Sequence, residues 1–200
     1  MNNGKITAVI GVRKGSERIV NKNIKPFNDT SLLENKIKTL KEVENLDEIV
    51  VTTDCDKMFA LAEQLGVVAI KRPDYYTSND CPGSENLEFI ATQVDTDYIL
   101  YTPVTSPLVK SETYEDIINI FKNLDEEYDS VVSMNYIKDF LWENGKPLNY
   151  DPLDCPRSQD MESIFRMNFG ACLLSRETMI KNKYVVGDSP FWYELPEVEG

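Results

Sequence analysis

With 200 residues and 42% hydrophobic content, the chain suits one compact core, and its formal charge of −13 disfavours polyanionic partners such as nucleic acid or an anionic membrane surface. It contains no histidine, which excludes Ser-His-Asp and Cys-His nucleophile systems and imidazole-held metals. Any general base must then be Asp, Glu, Lys, Tyr or water, and any metal must prefer oxygen.

ITAVIGV (6–12) is an uninterrupted apolar run rich in β-branched residues, the pattern of a strand buried on both faces. A loop over 13–27 follows. Ser31-Leu32-Leu33-Glu34 then has capping-box spacing, with Ile37 and Leu40 continuing a helical period. EIVVTTD (48–54) predicts a second strand, DKMFALAEQLG (56–66) a helix closed by Gly66, and VVAIKR (67–72) a third strand. RPDYYTSNDCPGS (72–84) is loop, SENLEFIATQV a helix, and DYILYTPV (97–104) another buried strand. TSPL (105–108) breaks the chain before the helix ETYEDIINIFKNL (112–124), whose Ile117, Ile118, Phe121 and Leu124 share one face. DSVVSMNY (129–136) is a strand, and Asn144-Gly145 marks a two-residue hairpin. Residues 151–165 read as loop, NFGACLLS as a further strand, and RETMIKN as a short helix.

This alternation predicts a three-layer α/β/α domain over residues 1–200 with a mostly parallel sheet and a late hairpin. Ligands of such sheets bind at the carboxyl ends of the strands. Loops 13–27, 72–84 and 104–108 follow such ends, and 155–168 precedes a late strand. Cys55, Cys81, Cys155 and Cys172 are widely spaced without C-x-x-C, as expected of reduced thiols in a cytosolic protein. No apolar run approaches membrane-spanning length, and MNNGKITAV lacks a signal-peptide layout. A cytoplasmic protein is expected.

Charge is segregated along the chain. Residues 1–25 hold six basic residues and one acid, Glu17, which leaves 15 basic and 33 acidic residues elsewhere, a balance of −18. The loop GVRKGSER matches neither a Walker A motif nor G-x-G-x-x-G, which argues against a dinucleotide-binding redox domain. It nevertheless has the parts of an anion site. Gly15 can admit an anion to backbone N–H groups, Ser16 can donate a hydroxyl hydrogen bond, and Arg13, Arg18 and Lys22 can add charge-assisted ones. A solvated basic surface loop is the plainer alternative.

The pattern R-x-G-S-x-R-x-x-x-K-N-I, carried by Arg13, Gly15, Ser16, Arg18, Lys22, Asn23 and Ile24, resembles the signature of the acylneuraminate cytidylyltransferases. IVVTTD, KRPDYYTSND, VTSPL, PRSQD and RMNFGACLLS agree in order and spacing, so the resemblance covers nearly the whole chain. It implies a nucleotide-diphospho-sugar transferase-like, Rossmann-like fold. It also implies transfer of CMP from CTP to the anomeric hydroxyl of a 2-keto sugar acid with release of pyrophosphate, with magnesium as cofactor and a homodimeric assembly. An acceptor such as a 3-deoxy-octulosonate or a phosphonate, or a catalytically impaired nucleotide-binding protein, are the alternatives.

By this resemblance Arg13, Arg18 and Lys22 are the catalytic cations. Arg13, Gly15, Ser16, Arg18, Lys22, Asn23, Arg72 and Ser84 would bind CTP. Thr105, Ser106, Arg157, Gln159, Arg166 and Asn168 would bind the acceptor, the arginines gripping its carboxylate. Two positions depart from the family pattern. Glu17 stands where many members have lysine, and Pro103 stands where the family often has glutamine near the sugar, which weakens the case for sialic acid itself. The family's metal-binding aspartates lie in an I-D-I-D stretch just past the position of WYELPEVEG, so the chain is expected to lack them and the dimerisation tail; no metal ligand is assigned. Asp54 is read as a strand-end turn residue. Phe191, Trp192 and Tyr193 are read as core or subunit-contact aromatics.

Overall fold

The computed structural model describes residues 3–15, 19, 21–161 and 164–200. Seven strands form one sheet. The first, β1 (Ile6–Gly11), lies near its centre between β2 (Glu48–Thr53) and β4 (Tyr98–Tyr101), and β3 (Val68–Lys71) closes that edge. β6 (Ile164–Ser175) lies beyond β4, then β5 (Ser130–Ile137), and β7 (Pro190–Glu194) forms the other edge. Every pairing is parallel except those of β6, which runs antiparallel to both neighbours.

The helices form two outer layers because each has one apolar stripe to bury. α1 (Leu32–Lys41), α2 (Asp56–Gln64) and α4 (Ser111–Lys122) pack on one face through Leu33, Ile37, Met58, Ile117 and Phe121, against Ala8, Ile10 and Leu100 of the strands. α3 (Gly83–Thr92) and α5 (Arg176–Asn182) cover the other face through Ile90, Ala91 and Met179, against Val9, Ile99 and Leu174. The expected three-layer α/β fold is thus the observed one. Ser31 caps α1 as its spacing predicts, its hydroxyl accepting from the Glu34 N–H at 3.2 Å. The hairpin at Asn144-Gly145 forms between 142–143 and 146–147, with φ of 50° and 76°, both in the left-handed region that a type I′ turn requires.

Three features differ from the expected pattern. The strand expected at 168–175 begins at Ile164, so the last part of the 155–168 loop is strand. It contains an irregularity between Met167 and Cys172, where five residues of β6 advance against two of β5. Residues 190–194, read only as aromatics, form edge strand β7, with Trp192 stacked obliquely 4.7 Å from Phe165. Finally, the 13–27 loop ends in a short ribbon pairing 26–27 with 30–31 around Asn28 at φ 54°. Among the described residues no helix is long and apolar enough to cross a membrane, and all four cysteines are free.

Candidate functional site

Parallel strands β1 and β4 end side by side, and the segments leaving them bound a cleft of about 610 Å³. Arg13, Gly15, Ile19, Lys22 and Asn23 line one wall, and Pro103, Val104 and Thr105 the other. The volume is that of a small-molecule site. The first wall is built by hydrogen bonds that continue the sheet outward. Val12 N–H donates to the Thr52 carbonyl at 3.0 Å, and Lys14 N–H donates to Asp54 Oδ1 at 2.8 Å. Asn23, 7% exposed, donates from Nδ2 to the Arg13 carbonyl at 3.1 Å and ties the far end of the loop to its start. Arg13 reaches across the cleft edge, Nη1 donating to the Thr77 carbonyl at 2.8 Å and to Asn79 Oδ1 at 3.2 Å. That contact joins the 13–27 and 72–84 loops. Half-buried Lys22 starts the short helical turn Lys22–Ile24, and its ammonium bonds no other described residue.

Of the predicted CTP-binding residues, Arg13, Gly15, Lys22 and Asn23 are brought together here. A Cβ on Gly15 would meet none of the described residues within 4 Å. Ser16, Glu17 and Arg18 lie outside the described residues. Arg72 is placed differently from a lining residue: it is 3% exposed, behind the end of β1. Its Nη2 donates to the Val12 carbonyl at 2.6 Å and Nη1 to Asn86 Oδ1 at 2.9 Å, while Nε is buried with no partner among the described residues. Burial pulls this guanidinium below its ordinary value. Its action on the cleft is therefore indirect, through the backbone of the basic loop. Ser84 is exposed in the first turn of α3, outside the cleft lining.

The predicted acceptor residues are dispersed. Thr105 lines the cleft, and Ser106 follows it with its carbonyl turned to the interior, where it accepts from Lys36 Nζ at 2.8 Å. Arg157 is exposed, with Nε on Asp160 Oδ2 at 2.7 Å, and Gln159 is exposed in the same short turn, Ser158–Asp160. Arg166 lines a second cleft, about 580 Å³, with Lys138, Glu194 and Glu197. Asn168 is engaged by the β6 irregularity: its Oδ1 accepts from Ser133 Oγ at 2.5 Å and from Gly170 N–H at 2.9 Å, and its Nδ2 donates to Asn135 Oδ1 at 2.7 Å. A Cβ on Gly170 would sit 2.7 Å from Leu195 Cδ1, so a larger residue there would require the Leu195 side chain to shift. Phe169, at φ 58° and 37% exposed, occupies the left-handed region that bulky residues seldom adopt.

Sequence reasoning overlooked Lys36, which is 1% exposed under the 103–107 wall. Its signal was present: it lies three residues after Leu33 and four before Leu40, on the apolar stripe of α1. For a metal, the described residues are a poor fit. Among the described residues, those lining the main cleft include no carboxylate, and no three Asp, Glu or Cys side chains converge. Asp54 Oδ1 is occupied by Lys14 N–H.

Residues 7–186 match a family model described as cytidylyltransferase. The chain is 31% identical over 134 residues to the N-acylneuraminate cytidylyltransferase of Escherichia coli O18:K1:H7, covering 65% of this chain and 31% of that one. It is 25% identical over 202 residues to the enzyme of the same name from Oncorhynchus mykiss, covering 96% and 46%. The chain thus spans less than half the length of these relatives. Among solved structures, a CMP:2-keto-3-deoxy-manno-octonic acid synthetase complexed with CTP superposes with a TM-score of 0.69 at 15% identity, covering 98% of this chain and 93% of that one. That likeness bears on the fold.

Proposed function

Because the chain belongs to the cytidylyltransferase family, we propose that it transfers CMP from CTP to the anomeric hydroxyl of a 2-keto sugar acid of the sialic or nonulosonic type, releasing pyrophosphate. The observation that carries this reading is the single cleft that sets a basic loop, with Arg13 and Lys22, opposite the 103–105 segment. In a chain of net charge −13 such a concentration of cations makes a local anion trap. The triphosphate lies against the basic wall, where Lys22 and, by the resemblance, Arg18 neutralise charge and Ser16 donates a hydrogen bond as the bond between the α-phosphorus and the bridging oxygen breaks. The acceptor hydroxyl approaches from the 103–105 wall, forms the new O–P bond and passes its proton to water. No enzyme-bound covalent intermediate is needed, which accords with a chain without histidine.

Magnesium comes with the family resemblance, but the described residues offer it no carboxylate cluster, and no step here is routed through it. The sialic-type acceptor is supported by the names of the curated relatives, and the octulosonate alternative by a further curated relative, 28% identical over 118 residues, named 3-deoxy-manno-octulosonate cytidylyltransferase. A homodimer and a cytoplasmic location complete the reading, the latter supported by four free thiols. Pyrophosphate release from CTP and magnesium, measured across N-acetylneuraminate, other nonulosonates, 3-deoxy-octulosonate and a phosphonate, tests it. Release with one sugar acid identifies the acceptor. CTP binding without release from any acceptor would refute the transferase reading and favour a nucleotide-binding protein, a second reading supported by the lack of a carboxylate cluster among the described residues.

A further inference from the structure

We propose that Lys36 is a positioning residue whose buried amine clamps the Ser106 carbonyl and thereby sets where Thr105 stands in the acceptor wall of the cleft. The inference rests on the reading of the 103–105 segment as that wall.

Lys36 occupies a place where packing alone would favour Leu or Met. It is 1% exposed on the stripe of α1 shared with Leu33, Ile37 and Leu40, and among the described residues no carboxylate is one of its hydrogen-bond partners. A lysine is costly in such a site, so the contacts of its Nζ are informative. One is the Ser106 carbonyl at 2.8 Å, and the other is the Tyr114 hydroxyl, with Nζ also 5.0 Å from the Tyr114 ring centroid. The Tyr114 hydroxyl lies 2.8 Å from Thr102 Oγ1, which donates to the Gly170 carbonyl at 2.9 Å. With the Thr102 hydrogen directed to Gly170, Tyr114 donates to Thr102 and accepts from Lys36. The bonds then run in one direction, from Lys36 through Tyr114 and Thr102 to Gly170.

This chain brackets the acceptor wall: Thr102 precedes Pro103, and Ser106 follows Thr105. The preceding residue of α1 adds a second grip, Asn35 Nδ2 donating to the Pro107 carbonyl at 3.0 Å. Two adjacent residues of one helix therefore hold two adjacent carbonyls of one loop. Burial pushes the Lys36 amine down to about 7. The neutral form still has two N–H donors, enough for Ser106 and Tyr114, so the clamp persists through that change.

The test compares Lys36→Met, which keeps volume and removes the donor, with Tyr114→Phe, which leaves Lys36 on Ser106 but cuts the link to Thr102. With CTP and whichever of N-acetylneuraminate or 3-deoxy-octulosonate turns over, Lys36→Met is expected to raise the acceptor KM about tenfold, the effect of one lost hydrogen bond. KM for CTP should stay within about twofold. Tyr114→Phe should move the acceptor KM by less than about threefold. Equal shifts of both KM values in both variants would mean a merely structural lysine and overturn the proposal. Hydrogen exchange gives a readout independent of turnover: the Thr105, Ser106 and Leu108 amides should exchange faster in Lys36→Met than in wild type or Tyr114→Phe. Unchanged exchange would overturn the clamp even if the enzyme is active, whereas faster exchange in a protein inactive with every acceptor would sustain the clamp and sink the transferase reading. If Lys36→Met fails to fold, Asn35→Ala supplies the same exchange test at Leu108, with the same two outcomes.

Discussion

Raising the pH should stabilise this protein through Lys36, because the folded state holds that amine near 7 whereas the ordinary value is 10.5. The cause is burial of a charge without a counterion. Between about pH 7 and 10.5 the unfolded chain binds more protons at this position than the folded one, so stability rises with pH across that window. Below pH 7 the penalty is constant at its maximum, on the order of 5 kcal/mol for a difference of this size. Between pH 7 and 10 roughly 3 kcal/mol should be recovered, with a slope no steeper than one proton's ~1.4 kcal/mol per pH unit. The titratable group bonded to Lys36 is Tyr114 of α4, on which Glu199 of the C-terminal segment acts in turn. Burial raises Tyr114, and Glu199 accepts from Thr113 Oγ1 at 2.7 Å and Lys110 N–H at 3.2 Å. Both remain in Lys36→Met. The assay is therefore urea unfolding of wild type and Lys36→Met from pH 6 to 10, read as the difference between the two curves, in which groups common to both proteins cancel. A difference flat to within about 1 kcal/mol over that range would refute a buried, unpaired lysine.

Two further outcomes follow from the cleft. Arg13→Ala combined with Lys22→Ala should weaken CTP binding at least about tenfold, since each removes a charge-assisted donor from the basic wall; calorimetry with CTP showing unchanged affinity would remove the loop from the nucleotide site. Arg72→Met should lower stability by roughly 3 kcal/mol in denaturant unfolding, because it strips donors from the buried Val12 carbonyl and from Asn86. A loss below about 1 kcal/mol would show that the end of β1 is held by the sheet alone.

The strands and helices were legible because each carries its own period: β1 is mainly apolar since helices cover both faces, and α4 repeats its apolar residues at three and four since only one face is covered. The Ser31 cap and the Asn144-Gly145 turn were equally readable, because their hydrogen bonds and dihedral requirements are met within a few residues. The spacing Arg13, Gly15, Lys22, Asn23 also sufficed to gather one wall of the cleft, because those positions lie in one loop. What depended on distant partners was not readable. Strand β7 pairs with β5 some sixty residues earlier, the irregularity in β6 depends on Ser133 and Leu195, and the same irregularity occupies Asn168. Arg72 and Lys36 look like ordinary surface cations in one dimension. Only packing decides that one supports the backbone of β1 and the other lies under the opposite wall, because burial and hydrogen-bond partners are set by residues far apart in the chain.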